Sequence, residues 1–146
     1  MGRSIVAVIV GYISMFILNF LFFVGLYAVV GPAHAFKPGL FLASNRWIAM
    51  SAVGIFITAI IAGLICAAIA RGGRAPLGLA IVIIVIGVVL GIPAVMKHRA
   101  NEHLVRVGNV PSMEAAQKAY WPDWAPFLFP FISAAGALVG GRLKRR

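Results

Sequence analysis

The sequence predicts an all-α membrane protein, an antiparallel four-helix transmembrane bundle with a short interfacial helix in the third connection. Three observations lead there. Hydrophobic residues make up 62% of the chain and charged residues 11%, whereas roughly a quarter of the residues in an ordinary soluble domain are charged. Four apolar runs, near residues 5–30, 47–70, 77–96 and 125–141, carry no charge at all, and each approaches or exceeds the ~17–25 residues a helix needs to cross hydrocarbon. Finally, Tyr27, Trp47, Tyr120, Trp121 and Trp124 fall at one predicted face, where aromatic side chains favour the membrane interface. Residues 1–146 therefore read as a single four-span domain.

The first run is long enough to require tilt, and Gly31-Pro32 ends it. Within it, Phe16, Phe20 and Phe23 follow helical spacing, while Tyr12 and Asn19, seven apart, share a face. An amide in hydrocarbon is costly unless paired. Asn19 is therefore expected to face another helix, with Ser51, Thr58 or Ser133 as its partner. On the second run Ala59, Gly63 and Ala67 form a small-residue stripe. Gly87 and Gly91 do the same on the third, and Gly136 and Gly140 on the fourth. Such residues let helix backbones approach closely, so these faces are expected to turn inward, with a homo-oligomer seam as the alternative. Pro76 and Pro126 sit where a first-turn proline sacrifices no helix bond. Gly91-Ile92-Pro93 predicts a bend near the outer end of the third span.

The net charge of +10 does not point to nucleic acid, because the basic residues sit at helix ends and not on one folded face. No nucleic-acid partner is expected; the lipid bilayer is. Arg3, Arg71, Arg74, Arg142, Lys144, Arg145 and Arg146 flank the spans in short segments. Lys37, Arg46, Lys97, Arg99, Arg106 and Lys118 are spread over two longer loops. That density predicts cytoplasmic termini. Ala33-His34-Ala35 has the small-x-small form of a signal cleavage site, but the preceding run exceeds the ~7–15 apolar residues of a signal, so cleavage is not expected.

Residues 97–124 form the one long polar connection and hold every acidic residue, Glu102, Glu114 and Asp123. Its second half predicts a short helix from about 112, with Ser112 as cap, Glu114 in the first turn and Trp121-Pro122 as the stop. Met113, Tyr120, Trp121 and Trp124 are the candidate recognition surface. His98, Glu102 and His103 superficially resemble a zinc motif, but helical zinc signatures place their histidines differently. Metal binding is not expected; these three are only the nearest candidates. His34 stands alone in the other outer loop. No histidine lies in a span, which argues against a transmembrane haem pair, and no cofactor is expected. Cys66 is the one cysteine, so neither an internal disulfide nor a paired-thiol redox site is available.

No ionisable group lies in any span, which removes the strongest signal of ion-coupled transport. Gly-x-Ser-x-Gly and other catalytic constellations are absent as well. The sequence Phe36-Lys37-Pro38-Gly39, the connection Arg71-Gly72-Gly73-Arg74-Ala75-Pro76-Leu77 and the ending Gly140-Gly141-Arg142-Leu143-Lys144 resemble those of small uncharacterised bacterial four-span inner-membrane proteins. The resemblance implies a bacterial inner-membrane setting and no particular activity. By elimination, the expected role is a non-enzymatic accessory, assembly or structural subunit that uses the 97–124 loop for recognition, within a larger membrane complex or a homo-oligomer. The alternatives are a small channel or carrier for an uncharged or lipophilic solute, and a lipid- or cofactor-holding membrane protein.

Overall fold

Continuous apolar sequence leaves the backbone no solvent partner, so hydrogen bonds must close within the segment, and a helix does this. The computed structural model describes residues 2–71 and 74–144. Gly72, Gly73, Arg145 and Arg146, invoked above for the resemblance and the charge asymmetry, lie outside the described residues. Six helices follow in order: α1 (Gly2–Val30), α2 (Pro32–Ala35), α3 (Asn45–Ala70), α4 (Ala75–Asn101), α5 (Ser112–Lys118) and α6 (Ala125–Leu143). Four of them, α1, α3, α4 and α6, are long and apolar enough to cross a membrane, as a multi-pass membrane protein requires. Among the described residues there is no strand, only three isolated bridges between loops.

The helix ends have local causes. Ser44 caps α3 by accepting from the Trp47 N–H at 3.1 Å, which satisfies one orphan donor of the first turn. Pro76 and Pro126 occupy the first turns of α4 and α6. α4 continues through Pro93 to Asn101, past the expected end near residue 96. Ser112 does not cap α5. Pro111 holds that position with extended geometry (φ −57°, ψ 150°), Ser112 is the first helical residue, and no side chain caps the turn. The fixed φ of proline suits an N-cap backbone but offers no acceptor of its own. α5 also stops before Trp121-Pro122, at Ala119, because the next residue, Tyr120, bonds across to another loop.

α6 makes the broadest contact of any helix with α3 and a further one with α4. α3 and α4, joined by the short connection at 71–74, touch each other little. Close approach explains the first contact: a Cβ on Gly63 would fall on the Ala137 carbonyl, and one on Gly140 on the Ile60 carbonyl. Gly136 meets Phe56 and Ala59, while Gly87 and Gly91 on α4 receive Pro130 and Phe127 of α6. Ala59 and Ala67 are buried in α3. All seven small residues thus serve contacts or burial within one chain.

α1 rests mainly on α3 and touches α4 less. Its buried residues, Ala7, Gly11 and Met15, recur every fourth position and form a stripe against Cys66, Ala62 and Leu79. Asn19 continues that row. Thr58 Oγ1 donates to Asn19 Oδ1 at 2.7 Å and lies 3.0 Å from the Ile55 carbonyl, so the α3 hydroxyl is the amide's partner. Ser51 is fully buried, and its hydroxyl has no partner among the described residues.

Candidate functional site

The two long loops, 31–44 and 102–124, fold together instead of standing free. Lys37-Pro38-Gly39-Leu40 makes a tight turn: Gly39 has φ +71° and the Leu40 N–H donates to the Lys37 carbonyl at 3.1 Å. Proline followed by a glycine at positive φ is the pattern of a type II turn. The turn lets the 31–44 segment double back, with Lys37 N–H donating to the Leu42 carbonyl and Phe36 bridging Ala43. Its far edge then receives the long loop. Arg106 N–H donates to the Gly39 carbonyl at 2.9 Å, Tyr120 N–H to Phe41 at 3.1 Å, and Ala43 N–H to Tyr120 at 3.0 Å.

This cap is anchored to the helices by aromatic side chains. Tyr27 of α1 donates through its hydroxyl to the Val110 carbonyl at 2.8 Å. Its ring meets those of Trp47 and Phe36 edge-on, at centroid distances of 6.2 and 6.3 Å. Phe23 reaches both Trp47 and Trp121, and Trp121 meets Phe129 edge-on at 5.1 Å. Together with Phe41, Val110, Ala115 and Tyr120 these side chains form a hydrophobic cluster separate from the one between the helices.

Beneath the cap lies a cavity of about 460 Å³, bounded by Phe20, Phe23 and Tyr27 of α1, Trp47 of α3, Ala94 and Lys97 of α4, and one side of α5. Its walls are aromatic and aliphatic. Lys97 is the one charged residue lining it; the half-buried ammonium donates to the Ala116 carbonyl at 2.8 Å and takes part in no ion pair among the described residues. A smaller space of about 290 Å³ continues between α1, α4 and α6 from Phe23, Ala94 and Trp121 to Asn19, Gly87 and Tyr12, with Pro130 and Ser133 of α6 on its wall. The two spaces together offer aromatic and aliphatic walls, one cationic donor and, deeper in, the polar side chains of Asn19 and Ser133.

The three metal candidates do not converge. His98 turns to Asp123, with Nδ1 and Oδ1 2.5 Å apart, and its ring stacks on Tyr120 at 4.9 Å. Glu102 faces exposed His103 at 3.4 Å. Among the described residues no three His, Cys, Asp or Glu side chains meet as a metal site would need. The candidate recognition residues also separate. Met113 and Trp124 are exposed, at 70% and 55%, whereas Tyr120 is 3% exposed and Trp121 lines the cavity. Burial pushes the Tyr120 phenol above its usual range, and the Glu102 carboxylate adds to the shift.

Comparison of the chain with protein-family models, curated proteins and solved structures finds no match. The site therefore has to be read from its own chemistry. The sequence presents Lys97 only as a loop charge, Phe20 as one of three aromatics at helical spacing and Tyr27 as an interfacial aromatic, with nothing to join the three in one site. For Lys97 a signal existed: it is the first charge after an uninterrupted apolar run, the level at which a helix leaves hydrocarbon.

Proposed function

We propose that this chain is an antiparallel four-helix bundle of the bacterial inner membrane, with both termini cytoplasmic, that holds an amphiphile between α1 and α4. Contacts between ends support the arrangement: Arg3 Nε donates to the Ile69 carbonyl at 2.7 Å, and Gly141 abuts Pro76. They gather Arg3, Arg71, Arg74 and Arg142 at one end, away from every acidic residue. The observation that carries the ligand reading is the capped aromatic cavity with Lys97 at its rim. A headgroup oxygen would accept from Lys97 while the tail follows the seam toward Asn19. Of the earlier alternatives, a channel finds less support, since α3 and α6 meet backbone to backbone and the spaces beside α1 are lined chiefly by apolar side chains.

The test is purification from native membranes in mild detergent followed by mass spectrometry of the intact protein. Wild type is expected to retain an amphiphile that Lys97→Gln and the cavity-filling Ala94→Phe both lose. Wild-type protein emerging free of any retained amphiphile would overturn the reading. The accessory-subunit role has its own support in Val105, Val107, Met113 and Trp124, large apolar side chains exposed on the cap at 71%, 86%, 70% and 55%. A stoichiometric membrane-protein partner in the same preparation would bring that role to the front.

A further inference from the structure

We infer that the α1–α4 seam carries a second amphiphile site at its other end, for an anionic lipid of the opposite leaflet with Arg74 at its headgroup. The inference rests on the amphiphile reading above. A groove of about 680 Å³ runs between the N-terminal half of α1 and the start of α4. Arg74 and Ser4 sit at its entrance, Ile9 and Gly78 along it, and Tyr12 and Ile86 at its deep end. Gly78 leaves it open beside Val8: the nearest atom to a Cβ placed there lies 3.5 Å away.

Length assigns one leaflet to each site. From Arg74 to Ile86 α4 advances twelve residues, about 18 Å at ~1.5 Å per residue. From Lys97 back to Gly87 it advances ten, about 15 Å. Each is close to half of a hydrocarbon core of ~30 Å. Tyr12 borders both the groove and the space below the cap, so the two sites meet tail to tail near mid-membrane.

Charge decides the class of headgroup. Arg74 is exposed and in no ion pair among the described residues, and Arg3, Arg71 and Arg142 stand at the same end. The three acids all lie beyond Lys97, at the far end of α4. A headgroup beside Arg74 thus meets only positive neighbours, which favours a phosphodiester without a compensating ammonium over a zwitterionic one. A guanidinium also binds phosphate oxygens in a forked geometry that a lysine cannot offer.

The experiment uses the full chain in phosphatidylcholine nanodiscs doped with phosphatidylglycerol, ejected intact into the mass spectrometer. Wild type is expected to keep phosphatidylglycerol in preference to phosphatidylcholine. Arg74→Gln should weaken that retention about fivefold, the factor one basic side chain contributes beside an anionic headgroup, and leave the Lys97-dependent amphiphile in place. A groove-filling Gly78→Leu should have the same effect with every charge retained. Equal retention of both lipids, unchanged by either substitution, would mean annular lipid only and would overturn the inference. Loss confined to Lys97→Gln would sink this second site while sparing the first; loss in no variant would sink both.

Discussion

The Tyr27 phenol donates to the Val110 carbonyl across 83 positions of sequence, at 2.8 Å. Among the described residues this is the one hydrogen bond between α1 and the 97–124 loop, so it ties the long loop to the first helix. Tyr27→Phe keeps the ring against Trp47 and removes only the hydroxyl. A hydrogen bond of this kind contributes about 0.5–1.5 kcal/mol. Amide exchange across 104–118 is expected to quicken roughly two- to twelvefold, while α3 and α6 stay protected.

The α3–α6 contact tolerates no side chain where backbones meet. Gly63→Ala and Gly140→Ala each drive a methyl into a carbonyl of the partner helix. Overpacking of this kind costs about 1–3 kcal/mol, measurable as a lower denaturation midpoint in detergent. Gly25→Ala is the control: nothing lies within 4 Å of its Cβ, and the gain in helix propensity should raise stability by up to about 1 kcal/mol.

Asn19 and Thr58 invite a double-mutant cycle. Interhelical polar bonds in membranes average only about 0.6 kcal/mol, because polar groups also find partners in the unfolded reference state. Asn19→Leu and Thr58→Val are therefore expected to couple by about 0.5–1.5 kcal/mol, with the coupling absent between Asn19→Leu and a distant Arg46→Gln.

Alkaline pH should loosen the cap through Tyr120. Its phenol is held above the ordinary value of 10.0 in the folded chain by burial and by Glu102. Above pH 10 the unfolded chain loses that proton first, so the folded state binds more protons and stability falls as pH rises. The stabilisation is complete below pH 10 and lost as pH climbs through the folded-state value. Tyr120→Phe should flatten this part of the curve, with phenolate absorbance as the monitor of the wild-type transition.

The spans were legible in the sequence because hydropathy and length act locally. Which face of α1 is buried around Ala7, Gly11 and Met15 was not: apolar residues stand on every side and Ser14 is the one polar neighbour besides Tyr12, so exposed Ile9 and Ile13 look no different from interior positions. Polarity marks a face only when one side meets water. Asn19 was legible for the opposite reason, as the lone amide in its run, and three partners stood at plausible depths. The candidate site was only partly legible. Residues 36–43 and 105–120 bond across a long gap in sequence, and nothing local announces that Tyr120 belongs against Phe41 and not on the surface. The missing Ser112 cap has a simpler cause, since the proline before it already supplied the extended backbone that starts α5.

The place of α6 bears on how the chain is built. α3 and α4 are neighbours in sequence, yet the small residues on both are shaped for α6. Gly63 and Gly87 have to wait for Ala137 and Pro130. Without α6, α3 and α4 would present an open cleft with unfilled notches on both walls. The joint between α3 and α4 is therefore completed by α6: a chain stopped before Ala125 would leave Gly63 and Gly87 facing an exposed slot.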